Sequence, residues 1–184
     1  MGRSRKYAVL ALGLIMGTAS WAQEEGPAAG REWMEPTGML LSGETVIPMA
    51  GPAKEFHRLL GRGDLARAGA NPGCGTWFDE STLRYLDYPF LRLELGPGGA
   101  AMWMAIYPTE ADIALLTSKG KLDGHTTLEE VQGWFVDPGA LTYEDPDEGT
   151  VTLTIPEGAE LDSAVRLVFT KGGKLIIIEH FNPC

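Results

Sequence analysis

A pattern that occurs twice, some 75 residues apart, constrains this chain more than any other feature. Arg92-Leu93 stands shortly before Gly98-Gly99, and Arg166-Leu167 shortly before Gly172-Gly173, an offset of 74 residues. Glu55-Phe56 with Leu59-Leu60 likewise matches Glu130-Val131 with Trp134-Phe135, at an offset of 75. Two separate elements displaced by nearly the same distance point to one unit used twice. Each half reads as strand, short helix, then a meander ending in an apolar strand. One such unit alone buries neither its helix face nor its sheet face well, whereas two packed together bury both. The expected fold class is therefore α+β: two similar units, 37–108 and 109–184, each a short helix packed on an antiparallel β-meander, sharing a core or a continuous sheet.

The elements follow from periodicity and punctuation. Met39 to Ile47 holds two short apolar runs around Ser42-Gly43, strand material with a turn. Gly51-Pro52 opens a helix whose Phe56, Leu59 and Leu60 share one face, with Gly61 placed to end it. A loop bearing Cys74 follows, then strands at Leu83–Leu86, Leu91–Leu95 and Ala101–Tyr107, the last two joined by Gly96-Pro97-Gly98-Gly99. Thr109 to Leu116 reads as a helical turn, with Asp112 three residues after Thr109. Thr126 or Thr127 caps a second helix, with Glu129 or Glu130 completing a capping box. Val151–Ile155, Val165–Phe169 and Leu175–Phe181 are strands, the last pair turned by Gly172-Gly173.

The first 22 residues have the order of an export signal. Arg3, Arg5 and Lys6 precede an apolar run from Tyr7 to Met16, which ends in small residues up to Ala22. The run is shorter than the ~20 apolar residues that span a bilayer. No cysteine follows it for lipid attachment. Cleavage after Ala22 leaves 162 residues and a periplasmic or secreted destination, beginning with a flexible leader over 23–36 from which Trp33 and Met34 can dock. In an oxidising compartment the two cysteines, Cys74 and Cys184, most simply form one disulfide. The chain's formal charge of −10 falls by three more to −13 when the leader's three basic residues leave. That sign argues against nucleic acid and anionic membrane surfaces. It leaves another protein, including a basic one, as the expected partner. No transmembrane segment is expected after signal removal.

Two motifs carry a family resemblance. The helix ending in E-F-x-x-L-L-G (Glu55, Phe56, Leu59, Leu60, Gly61), followed by a meander and repeated in tandem, resembles the beta-lactamase-inhibitor-protein and small outer-membrane-assembly-lipoprotein class. The T-L-E-E-V helix, Thr127 to Val131, is similar to that of uncharacterised bacterial exported domains. The resemblance implies a mixed α+β fold whose sheet surface binds other proteins.

No nucleophile elbow, zinc-protease helix, P-loop or dinucleotide fingerprint occurs, so no catalytic residue, metal ligand or cofactor is assigned. His57, His125 and His180 are isolated and read as structural. The acidic segment Glu144–Gly149 lacks the spacing of a calcium loop and reads as a solvated turn. Trp77, Asp79, Glu80, Tyr85 and Tyr88 bring aromatic rings beside acids, a composition suited to binding a basic protein. Packing around the Cys74 bridge accounts for the same rings. The leading reading is an exported, non-catalytic protein-binding module of inhibitor, immunity or envelope-accessory type. The alternative is a small periplasmic enzyme or ligand-binding domain with its site between the two units.

Overall fold

The computed structural model describes residues 33–70, 76–78, 82–136, 142–158 and 163–182. The segment expected to be an export signal, most of the expected leader, both cysteines, Asp79 and Glu80 lie outside these residues.

Among the described residues antiparallel strands dominate, with two short α-helices. A hairpin of β1 (Pro36–Leu41) and β2 (Thr45–Ile47) opens the fold. The short β3 (Ala50–Pro52) leads into α1 (Ala53–Leu60), then β4 (Asp64–Ala70), β5 (Thr82–Tyr88), β6 (Leu91–Leu95) and β7 (Ala100–Ile106). The second half of the chain has no counterpart of β3. It has a hairpin of β8 (Ile113–Thr117) and β9 (Lys121–Leu122), α2 (Leu128–Gln132), then β10 (Thr142–Asp145), β11 (Thr150–Pro156), β12 (Ala164–Thr170) and β13 (Leu175–Phe181).

Each half gives strands to both sheets. The smaller runs β2-β1-β8-β9, and the larger runs β10-β11-β12-β13-β7-β6-β5-β4, with β3 also paired to β7. The halves therefore meet along two antiparallel seams, β1 with β8 and β7 with β13. One contiguous core fills the space between. The small sheet supplies Met39, Ile47, Ile113, Leu115 and Leu122. The large sheet supplies Leu93, Trp103, Ile106, Leu167, Phe169 and Ile178. Each helix is too short to be stable alone and is held by a single fully buried side chain, Phe56 on α1 and Val131 on α2. Thr127 caps α2 by accepting the Glu130 N–H on its hydroxyl at 3.2 Å. The β6–β7 turn needs glycine because Gly98 and Gly99 both take positive φ, 65° and 80°.

Five strands depart from the sequence reading, two of them the short β3 and β9, which it did not place. The expected helical turn at Thr109–Leu116 is instead β8, which pairs on one side with β1 (Leu115 opposite Met39) and on the other with β9. Tertiary pairing of a fully apolar run overrides the weak capping signal there. The stretch taken as the start of the cysteine loop contains β4, an edge strand in which Ala and Gly, residues of low strand propensity, fill four of seven positions. β10 runs into the acidic turn, where Asp145 Oδ1 accepts the N–H groups of Asp147 and Glu148 at 3.0 and 3.1 Å. Ahead of β1, Met34 is fully buried and its N–H donates to Pro156 O at 3.0 Å.

Candidate functional site: a cleft over the seam

The β7–β13 seam places one row of residues side by side across five strands. Asp87 on β5 faces Arg92 on β6, Arg92 faces Ala105 on β7, Ala105 faces Glu179 on β13, and Glu179 faces Arg166 on β12. Residues opposite one another on one face of a sheet are in contact range. The short Ala105 between two long charged neighbours leaves a hollow of about 240 Å³. Arg92, Arg166, Glu179, Tyr85 and Tyr107 line it, with Met104, Phe181 and His180 completing the wall.

The two arginines are held differently. Arg92 donates from Nε to Asp87 Oδ1 at 2.8 Å and from Nη2 to Oδ2 at 3.1 Å, with its guanidinium 5.2 Å from the Tyr85 ring centre. The hydrogen bond to Asp87 raises the Arg92 pKa further. Burial first, and then the negative charge of Glu94, raises the Tyr85 pKa, so its hydroxyl stays a proton donor. Arg166 lies 5.0 Å over the Phe181 ring and meets Glu179 only through Nη1 to Oε2 at 3.3 Å. That is longer than the ~2.7–2.9 Å of a strong charge-assisted bond. Among the described residues the Nε–Nη2 edge of Arg166 has no hydrogen-bond partner.

His180 forms the inner wall and is 7% exposed. Its ring lies between two indoles, 3.9 Å from Trp77 and 4.7 Å from Trp103, centre to centre. Nδ1 is 3.3 Å from the carbonyl oxygen of Trp103. Nε2 is 3.0 Å from Glu157 Oε2. Both nitrogens are thus engaged inside the protein, and neither is left to act as a base on a molecule in the cleft. The segment 76–78 is pinned above this stack. The buried Glu94 carboxylate accepts the N–H groups of Trp77 and Phe78 at 2.9 and 3.0 Å, and Asn182 Nδ2 donates to Thr76 O at 2.9 Å. A methyl at Gly96 would lie 2.4 Å from the Phe78 ring, so the ring rests on bare backbone there.

No protein family, curated protein or solved structure matches this chain. The chemistry must be read from the side chains themselves.

The expected aromatic patch is not one surface. Tyr85 lines the cleft, whereas Tyr88 is buried in the core, its hydroxyl donating to Gly61 O at 3.3 Å. Trp77 packs against His180, and Asp79 and Glu80 lie outside the described residues. His57 and His125 are exposed, and His180, expected to be merely structural, is both structural and part of the cleft wall. Arg92 and Arg166 were legible as a repeated pair, though not as neighbours. Glu179 and Glu157 carried no sequence signal, since only strand pairing brings them to the site.

A second hollow gathers Asp112, Asp123 and His125. Burial alone would raise the Asp123 pKa, yet bonds from Lys121 Nζ at 2.7 Å and the His125 N–H at 2.8 Å together lower it. Its carboxylate is already satisfied by its neighbours. Among the described residues no group of three His, Cys, Asp or Glu side chains is arranged to hold a metal ion, and no helix is long and apolar enough to cross a membrane.

Proposed function

We propose that this chain is an exported, non-catalytic binding module, one α+β unit used twice, whose ligand sits in the cleft along the β7–β13 seam. The observation that carries the reading is the row Arg92–Ala105–Glu179–Arg166, which joins the matching arginine of each half in a single hollow. Duplication is supported by the order hairpin, helix, meander in both halves. It is supported too by the burial of Phe56 and Val131, residues already aligned by the sequence offset. Clefts where two similar units meet are a common place for a binding site. Binding is favoured over turnover because the one histidine in the wall has both nitrogens committed to internal partners.

Export and a Cys74–Cys184 disulfide belong to the same reading. The contacts of Thr76 with Asn182 and of Trp77 with His180 hold together the two stretches that flank the cysteines.

A second reading has its own support. The outer strands of the large sheet, β4 and β10, expose Leu65 and Tyr143, and an exposed strand edge can add a strand from a partner protein. That is the inhibitor, immunity or envelope-accessory role.

A photo-crosslinking residue placed at Tyr107 in the cleft, and separately at Tyr143 on the edge, separates the two in the exported protein within its host envelope. Adducts from position 107 and not from 143 are expected. Adducts from 143 alone would move the binding site to the edge.

A further inference from the structure

Resting on the cleft reading above, we infer that the cleft takes an α-carboxylate on a body about the size of one amino-acid residue, either a free amino acid or the last residue of a peptide. The anchor is Arg166. Its guanidinium stands 5.0 Å over the Phe181 ring, and its Nε–Nη2 edge has no hydrogen-bond partner among the described residues. That edge is the part of arginine that pairs with a carboxylate through two parallel bonds. Arg92 keeps its charge at the other side of the hollow, although Asp87 takes its Nε and one Nη2 bond.

The neighbouring groups narrow the class. Glu179 stands beside Arg166 in the row, an acceptor next to a donor. An α-amino carboxylate, or a peptide end with its amide N–H, carries the complementary pair in the opposite order. Each arginine already has a carboxylate against it, Asp87 or Glu179. Both carboxylates repel an added anion, a doubly charged one such as phosphate more strongly, while a single carboxylate with a nearby N–H meets one donor and one acceptor. Tyr85, Tyr107, Phe181 and Met104 offer apolar surface to a side chain. The volume of about 240 Å³ lies below the ~300–1,000 Å³ of sites for drug-sized ligands. One residue fits, and a larger ligand would leave the cleft.

The test uses the intact exported protein and its tryptophan fluorescence, since Trp77 and Trp103 sandwich a residue of the cleft wall. The probes are N-acetyl-phenylalanine, phenylalanine, phenylalaninamide and inorganic phosphate. The two carboxylates are expected to bind, and the amide and phosphate to bind at least about tenfold more weakly. Arg166→Gln should weaken the carboxylates by about tenfold or more, with Arg166→Lys between it and the parent, because lysine keeps the charge and loses the fork. Ala105→Leu should remove binding of every probe by filling the hollow. Thermal melts of all three variants establish that they fold.

Tighter binding of the acetylated probe assigns the site to peptide ends, and tighter binding of phenylalanine assigns it to free amino acids. Amide and acid binding equally, with both lost in Ala105→Leu, would overturn the carboxylate inference and leave the cleft reading standing. Carboxylate binding that survives Ala105→Leu would remove the cleft reading and this inference with it. No binding of any carboxylate at about 10 mM would also overturn the inference.

Discussion

Trp103→Ala is expected to cost about 3–5 kcal/mol of folding stability, the range for deleting a fully buried large aromatic side chain. Trp103 is fully buried at the point where several supports converge. It belongs to the shared core, it lies opposite Leu93 across the β6–β7 pair, and it forms one face of the His180 sandwich. Its removal leaves a large void beside the seam that rigid β-pairing on both sides keeps from collapsing, which puts the cost toward the upper end. Against a total stability of roughly 5–15 kcal/mol, that is a large share. Urea unfolding should show the midpoint falling steeply with little change in slope. A loss below about 1 kcal/mol would mean that the residue is not packed as described.

Cys184→Ser is expected to destabilise the protein by about 2–5 kcal/mol under oxidising conditions, and to have little effect once reductant is present. The two cysteines would close a loop of 109 intervening residues, and long loops gain most from closure in the chain-entropy model. Thr76 and Asn182, hydrogen-bonded at 2.9 Å, are each two residues from a cysteine, and two residues span at most about 7 Å of chain. Non-reducing peptide mapping should recover a linked pair of peptides containing Cys74 and Cys184. Free thiols at both positions in protein isolated from its native location would contradict the clasp, and equal stability of parent and variant under oxidising conditions would remove its energetic role.

Local patterns were legible in the sequence, and the juxtapositions that make the site were not. The helix around Phe56, the capping of α2 by Thr127 and the glycine turns of β6–β7 and β12–β13 follow from periodicity and punctuation, because each is decided within a few residues. β4 escaped because alanine and glycine give a strand no signal of its own, and β8 because its partners, β1 and β9, decide its conformation. The cleft failed for a related reason. Arg92 and Arg166 were recognised as matching positions, but no local rule indicates that β7 and β13 pair so that Ala105 falls between Arg92 and Glu179. The aromatic grouping of Tyr85 with Tyr88 ignored the period of two: residues three apart on a strand point to opposite faces, one here to the cleft and one to the core.

Backbone amide shifts of the isotopically labelled protein, recorded while N-acetyl-phenylalanine is added, test the cleft most directly. Perturbations concentrated at Arg92, Ala105, Arg166 and Glu179, with Leu65 and Tyr143 unmoved, are the expected result. Perturbations concentrated on the outer strands around Leu65 and Tyr143, with the seam residues unmoved, would contradict a binding site where the two halves join.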